Sequence, residues 1–181
     1  MSSYVVSQLW GQFGADKYLI RQVRERMEFT ETVAAVRELT EWADERYPAT
    51  KGHLKLVEDK ANGPAVISQL GKLIPGMVGV NPQGDKSARA RAVAPQVEAG
   101  NVYLPGAPNA KHTDYDPSVT PLWVRQLVDE CASFPNAAHD DQVDALSQAL
   151  MRMADSASSM PLYGKPRGGA RRALRHLVTA R

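Results

Sequence analysis

His53-Leu54-Lys55-Leu56-Val57-Glu58-Asp59-Lys60-Ala61-Asn62-Gly63-Pro64 is the stretch that decides the fold class. An apolar run of strand length ends in two acids and turns a Gly-Pro corner into Val66, Ile67, Leu70 and Leu73 at helical spacing. Proline suits a first helical turn because the N–H it lacks would have had no intrahelical partner. The helix stops before Pro75-Gly76, and Met77-Val78-Gly79-Val80 follows as a buried strand. Strand, helix and strand in succession predict an α/β domain whose sheet is at least partly parallel.

The pattern extends in both directions. Residues 4–10 (YVVSQLW) and 17–24 (KYLIRQVR) read as two strands around the turn-forming residues 11–16, a hairpin. Thr30 is the expected N-cap of a helix carrying Val33, Val36, Leu39, Trp42 and Ala43 on one face, up to Tyr47-Pro48. Downstream, residues 85–99 are helix-compatible, 101–105 form a short strand, and 106–121 a proline-rich loop. A helix over residues 121–133 has Leu122, Trp123, Leu127, Val128 and Cys131 as candidate core. A last helix, 140–154, places Val143, Leu146, Ala149, Leu150 and Met153 on one face. Residues 1–154 thus form one expected domain, and 155–181 a flexible linker and basic tail.

With 181 residues, 43% of them hydrophobic, the chain is large enough for one α/β core. No apolar run reaches the roughly 18 residues of a membrane span, so no membrane role is implied. The first residues lack the basic and apolar regions of a secretory signal, and the single Cys131 can form neither an internal disulfide nor a zinc site, so a cytoplasmic location is expected. The formal charge is +2, from 22 basic and 20 acidic residues. Six of the basic residues, Lys165, Arg167, Arg171, Arg172, Arg175 and Arg181, follow Gly164 with no acid among them, so residues 1–164 carry −4. The tail reads either as a phosphate-seeking arm or as a solvated terminus.

The sharpest chemical feature is His139-Asp140-Asp141-Gln142-Val143-Asp144-Ala145-Leu146, where three carboxylates open an otherwise apolar helix. Asp140 and Asp144 are four apart and Asp141 and Asp144 three apart, spacings that share a helical face. Two converging carboxylates repel unless a cation lies between them, and hard ions such as Mg²⁺ or Mn²⁺ prefer carboxylate oxygen. Two such ions can activate a water and stabilise the leaving oxygen of a phosphodiester. An Asp at a helix start is also explained by capping and by the macrodipole, which accounts for one of the three. Glu58 and Asp59 close their strand where ligands gather in open α/β sheets. Alternation sends the pair to opposite faces, so one of them, Glu58 by preference, reaches a shared site. Lys86, Arg89 and Arg91 are candidate phosphate contacts or simply a solvated face. Trp10, Trp42 and Trp123 read as core anchors, and His112 and His139 as minor candidates for orienting a water.

Five segments, Val57-Glu58-Asp59-Lys60-Ala61-Asn62-Gly63, Gly84-Asp85-Lys86 with Arg89-Ala90, residues 98–105 (EAGNVYLP), Phe134-Pro135 and His139 through Ala145, together resemble the nuclease domain of the tailed-phage terminase large subunit. The resemblance spans roughly residues 3–153. It implies a ribonuclease H-like fold, a mixed central sheet flanked by helices, like that of Holliday-junction resolvases. It implies a metal-dependent endonuclease cutting concatemeric double-stranded DNA with two Mg²⁺ or Mn²⁺ ions. By the resemblance, Glu58 and the Asp140, Asp141 and Asp144 cluster are the metal ligands, with Asp59 in reserve. Lys86 and Arg89 match a basic segment suited to DNA near the cleft, and Arg91, together with Arg171 and Arg172 of the tail, is a further candidate DNA contact on charge alone. It further implies an ATPase motor, a small terminase subunit and a portal as partners, in the cytoplasm of a bacterial host.

Two departures from the family pattern bear on activity. Family members begin with a strand carrying an aspartate that would precede Ser2 here, and nothing in residues 1–15 replaces it. A cage lacking one bridging carboxylate is expected to lose most of its hydrolytic power. No G-x-x-x-x-G-K-[ST] phosphate loop is present, so no ATPase is expected within these residues. The competing expectation is a catalytically impaired DNA-binding or packaging-complex docking remnant of a split or decayed prophage gene.

Overall fold

A computed structural model of the chain describes residues 4–48, 54–59, 63–107 and 116–159. Within these, strand β1 (Tyr4–Phe13) and strand β2 (Asp16–Arg26) are followed by helix α1 (Phe29–Arg46), strand β3 (Lys55–Glu58) and helix α2 (Gly63–Leu70). Strand β4 (Met77–Val80), helix α3 (Lys86–Glu98), strand β5 (Val102–Tyr103), helix α4 (Leu122–Ser133) and helix α5 (Asp141–Ser159) complete the order. The expected α/β alternation is present. One sheet has the order β1-β2-β5 and another pairs β3 with β4. Both β2 with β5 and β3 with β4 are parallel pairs. The two-residue connection between β1 and β2 makes that pair an antiparallel hairpin, so the strands are mixed in sense. Among the described residues no helix is long and apolar enough to cross a membrane.

The hairpin is longer than the sequence suggests. Gly11, Gln12 and Phe13 continue β1, and the turn is Gly14-Ala15 alone. Gly14 has φ +61°, the left-handed geometry that a two-residue hairpin turn demands and that glycine adopts without a Cβ penalty. Helix α1 begins earlier than the Thr30 cap predicts. Its N-cap is Glu28, whose backbone N–H donates to the Glu31 side chain at 2.8 Å, half of a capping box.

The chain divides into two compact units. The first comprises residues 1–9 and 23–84, and its core is Val66, Leu70 and Ile74 of α2 and the turn after it, packed by Phe29, Val33, Val36 and Met77. Leu73, read as part of the apolar face, is 72% exposed, because α2 ends at Leu70 and Ile74 turns inward in its place. Strand β4, read as buried, leaves Val78 and Gly79 exposed.

The β3–α2 corner is held by Gly63, where any Cβ would collide with the carbonyl oxygen of Glu58. A Gly63→Ala variant must therefore push the end of β3 away. It should lose about 1–3 kcal/mol of stability, as overpacked sites do, read as a fall in the urea midpoint.

The second unit comprises residues 10–22 and 85–181. Leu19, Val93, Leu127, Leu146 and Leu150 form its core, with Trp10, Trp123, Val102 and Leu104 packed around them. Leu127 and Leu150 are fully buried, each contributing about 1.5–3 kcal/mol through area removed from water. Two residues of α4 differ from expectation: Leu122 is 64% exposed and Cys131 is exposed. The inward stripe of α4 is instead Val124, Leu127 and Glu130. Helix α5 continues to Ser159, past the expected boundary at residue 154. The tail residues Arg171 and Arg172, the loop residue His112, and the segments 49–53 and 60–62 lie outside the described residues.

Candidate active site

Helix α3 starts cleanly because Asp85 caps it, its carboxylate accepting from the Ala88 N–H at 2.7 Å. Lys86 and Arg89 then sit one turn apart on a single face. On α5, Asp140 and Asp144 are likewise one turn apart. The two pairs meet in register: Lys86 Nζ lies 2.6 Å from Asp140 Oδ1, and Arg89 Nη2 lies 2.6 Å from Asp144 Oδ1. Because the earlier residues pair together and the later ones do likewise, α3 and α5 run side by side in the same sense, with Val93 continuing the contact toward Leu146 and Leu150.

The two ion pairs differ in kind. Lys86 and Asp140 each keep 39% of their side-chain surface in water, so their pair is worth little, about 0–1 kcal/mol. Arg89 and Asp144 are 6% and 9% exposed. Arg89 places both Nε, at 3.0 Å, and Nη2 on one carboxylate oxygen of Asp144. Arg89 is therefore buried, not the solvated cation its sequence context suggested. Asp144 is fixed through Oδ1 and turns Oδ2 toward Lys86 Nζ, 3.9 Å away.

The Lys86 ammonium is thus the positive charge of this acidic face. Burial works against its charge, but the hydrogen bond it donates to Asp140 and the attraction of Asp140, Asp144 and Asp141 outweigh that, raising its pKa above the ordinary 10.5. A raised folded pKa stabilises the protein below about pH 10.5 and loses that contribution only above it. Lys86 therefore stays cationic throughout the neutral range.

A divalent cation fits this donor set chemically. The carboxylates are hard oxygen donors, and an ammonium already stands against Asp140 and near Asp144 Oδ2. The cage is not closed, however. Among the described residues no three His, Cys, Asp or Glu side chains converge closely enough to hold a metal ion. Lys86 would have to yield Asp140 for an ion to enter.

The remaining sequence candidates fall as follows. Glu58 is the last residue of β3, opposite Val80 in the parallel pair. Asp59 extends the ladder by donating its N–H to the Val80 carbonyl at 2.7 Å, and its side chain is exposed. Both belong to the first compact unit, and the α5 aspartates to the second. Arg91 is exposed and, with Ser87, Ala90, Ala94, Phe134 and Pro135, lines a shallow cavity of about 300 Å³. His139 is exposed. Sequence reasoning missed Glu130, a buried acid of α4 bonded to the backbone at the start of α5. The available signal was a carboxylate three residues beyond Leu127 on the helix's apolar stripe.

Parallel strand pairs alternating with helices make this an α/β chain, with aspartates at the start of α5 set against the basic residues of α3. A family model described as the terminase ribonuclease H-like domain matches residues 4–153, and the chain belongs to that family. Comparison with curated proteins finds no match.

Proposed function

We propose that this domain is a metal-dependent endonuclease of a phage DNA-packaging terminase, cutting double-stranded DNA by phosphodiester hydrolysis. The observation that carries the proposal is the acidic start of α5, Asp140 before the helix and Asp141 and Asp144 in its first turn, with the Lys86 ammonium against Asp140 and near Asp144. Asp140, Asp141 and Asp144, with Glu58 from β3 and Asp59 in reserve, would hold Mg²⁺ or Mn²⁺. Bound there, the ions would lower the pKa of the attacking water and stabilise the leaving oxygen. Arg89 orients Asp144, as outer partners of metal ligands do. Lys86, once released from Asp140, is placed to meet a DNA phosphate, and exposed Arg91 and the tail residues Arg171 and Arg172 would bind the backbone nearby. The expected partners are the packaging motor, the small terminase subunit and the portal.

One observation favours a second reading, a non-catalytic DNA-binding or docking module. Asp140 and Asp144 are already neutralised by Lys86 and Arg89, and no three-ligand group closes among the described residues. Supercoiled plasmid incubated with the protein separates the two. Nicking that requires Mn²⁺ and stops with EDTA supports the nuclease. DNA binding that weakens with salt and persists in EDTA, with no nicking at any Mn²⁺ concentration, supports the binding module.

A further inference from the structure

Asp140 occupies the N-cap position of α5: its carbonyl accepts the first intrahelical bond, from the Asp144 N–H at 3.0 Å. An aspartate there ordinarily turns its carboxylate back onto the N–H of the second or third helical residue. Asp140 does neither. Its carboxylate is on Lys86, and the two amides in question, those of Gln142 and Val143, both donate to Glu130 Oε1 of α4, at 2.7 and 3.1 Å.

Glu130 is itself held. Its Oε2 accepts from Gln142 Nε2 at 2.6 Å, and Gln142, 1% exposed, accepts from Gln22 Nε2 of β2 at 2.7 Å. A buried side-chain chain therefore runs from β2 through α5 to α4, with Gln142 using both ends of its amide.

We infer that Glu130 is a positioning residue that caps α5 from the neighbouring helix and so releases the Asp140 carboxylate to face a cation. The physical logic is competition. Orphan amides at a helix start attract the nearest carboxylate, and without a buried carboxylate supplied from α4 the nearest is that of Asp140. A cap supplied in trans lets an aspartate stand at the helix start without being consumed by it. The link to metal binding rests on the nuclease reading above, whereas the capping assignment does not.

The test uses the full chain and three variants, Glu130→Ala, Glu130→Gln and Asp140→Ala. Hydrogen exchange at the Gln142 and Val143 amides reads the cap. Asp140→Ala should leave both within about threefold of the parent, Glu130→Ala should speed them about tenfold or more, and Glu130→Gln, which keeps an acceptor oxygen, should restore protection. Exposure of the amides by Asp140→Ala would show Asp140 to be the cap and overturn the inference. Should Glu130→Ala fail to fold, the Asp140→Ala and Glu130→Gln results decide the capping assignment.

A crystal structure of metal-free Glu130→Ala or, failing that, of Glu130→Gln reads the positioning. In Glu130→Ala the Asp140 carboxylate should leave Lys86 for the Gln142 or Val143 N–H, and in Glu130→Gln it should stay on Lys86. Asp140 unmoved in the first, or moved in the second, overturns the inference. Mn²⁺ titration then reads the consequence, an apparent affinity about tenfold weaker in Glu130→Ala. Equal affinity in parent and variant defeats the positioning role, whereas a parent that binds no Mn²⁺ defeats the nuclease reading and leaves the capping result standing.

Discussion

Arg89→Ala should lower stability by about 3–5 kcal/mol, the cost of leaving a buried carboxylate unpaired. Asp144 has little water to turn to, at 9% side-chain exposure, and Arg89 supplies two N–H groups to its Oδ1. The urea midpoint should fall with the slope unchanged. Arg89→Lys should recover little, since one ammonium cannot reproduce the planar fork. Replacing both partners with apolar residues of similar volume should recover most of the loss, because the penalty belongs to the orphaned charge and not to the absent pair. An Arg89→Ala protein within about 1 kcal/mol of the parent, well below that expected cost, would mean that water reaches Asp144 and that the pair is peripheral.

The reason Arg89 was unreadable lies in its helix. Around Val93 the positions of α3 are mostly alanine, as at Ala88, Ala90, Ala92 and Ala94, so no broad apolar stripe marks an inward face. Val97, the other large apolar residue of α3, is half exposed. With neither face marked, a basic residue facing inward looks the same as one facing water. Helix α5 is the opposite case. Its Val143, Leu146 and Leu150 stripe was legible, and Asp144 beside it was recognisable as an acid out of place.

Strand positions were legible wherever β-branched residues met turn chemistry, as at 4–10 and 77–80. Boundaries were less so, because β1 runs on through Gly11 while hydrogen bonding to β2 overrides a weak local preference. Glu28 displaced Thr30 as a cap for a similar reason: Glu31, three residues on, closes back onto its N–H. The place of Glu130 on the apolar stripe of α4 is a local signal, but what it bonds to is not. Its partners are 12 and 13 residues away in sequence and meet it only through the packing of α4 on α5.

Asp141→Ala should reduce Mn²⁺-dependent nicking by about 10²- to 10³-fold, the scale on which loss of one preorganised electrostatic contact slows a reaction. Asp141 lies in the first turn of α5 and is only partly buried. Its removal should therefore leave the melting temperature close to that of the parent, unlike Arg89→Ala. The contrast separates chemistry from folding: one variant loses cleavage and keeps its stability, and the other loses stability. Nicking by Asp141→Ala at the parent's rate would remove α5 from the reaction and take the nuclease proposal with it.

Crystals soaked in Mn²⁺ and measured for anomalous scattering test the central claim most directly. The expected result is manganese at the start of α5, about 2.0–2.6 Å from carboxylate oxygens of Asp140 and Asp141, with Lys86 moved off Asp140. No manganese there, with Lys86 still on Asp140, would contradict it.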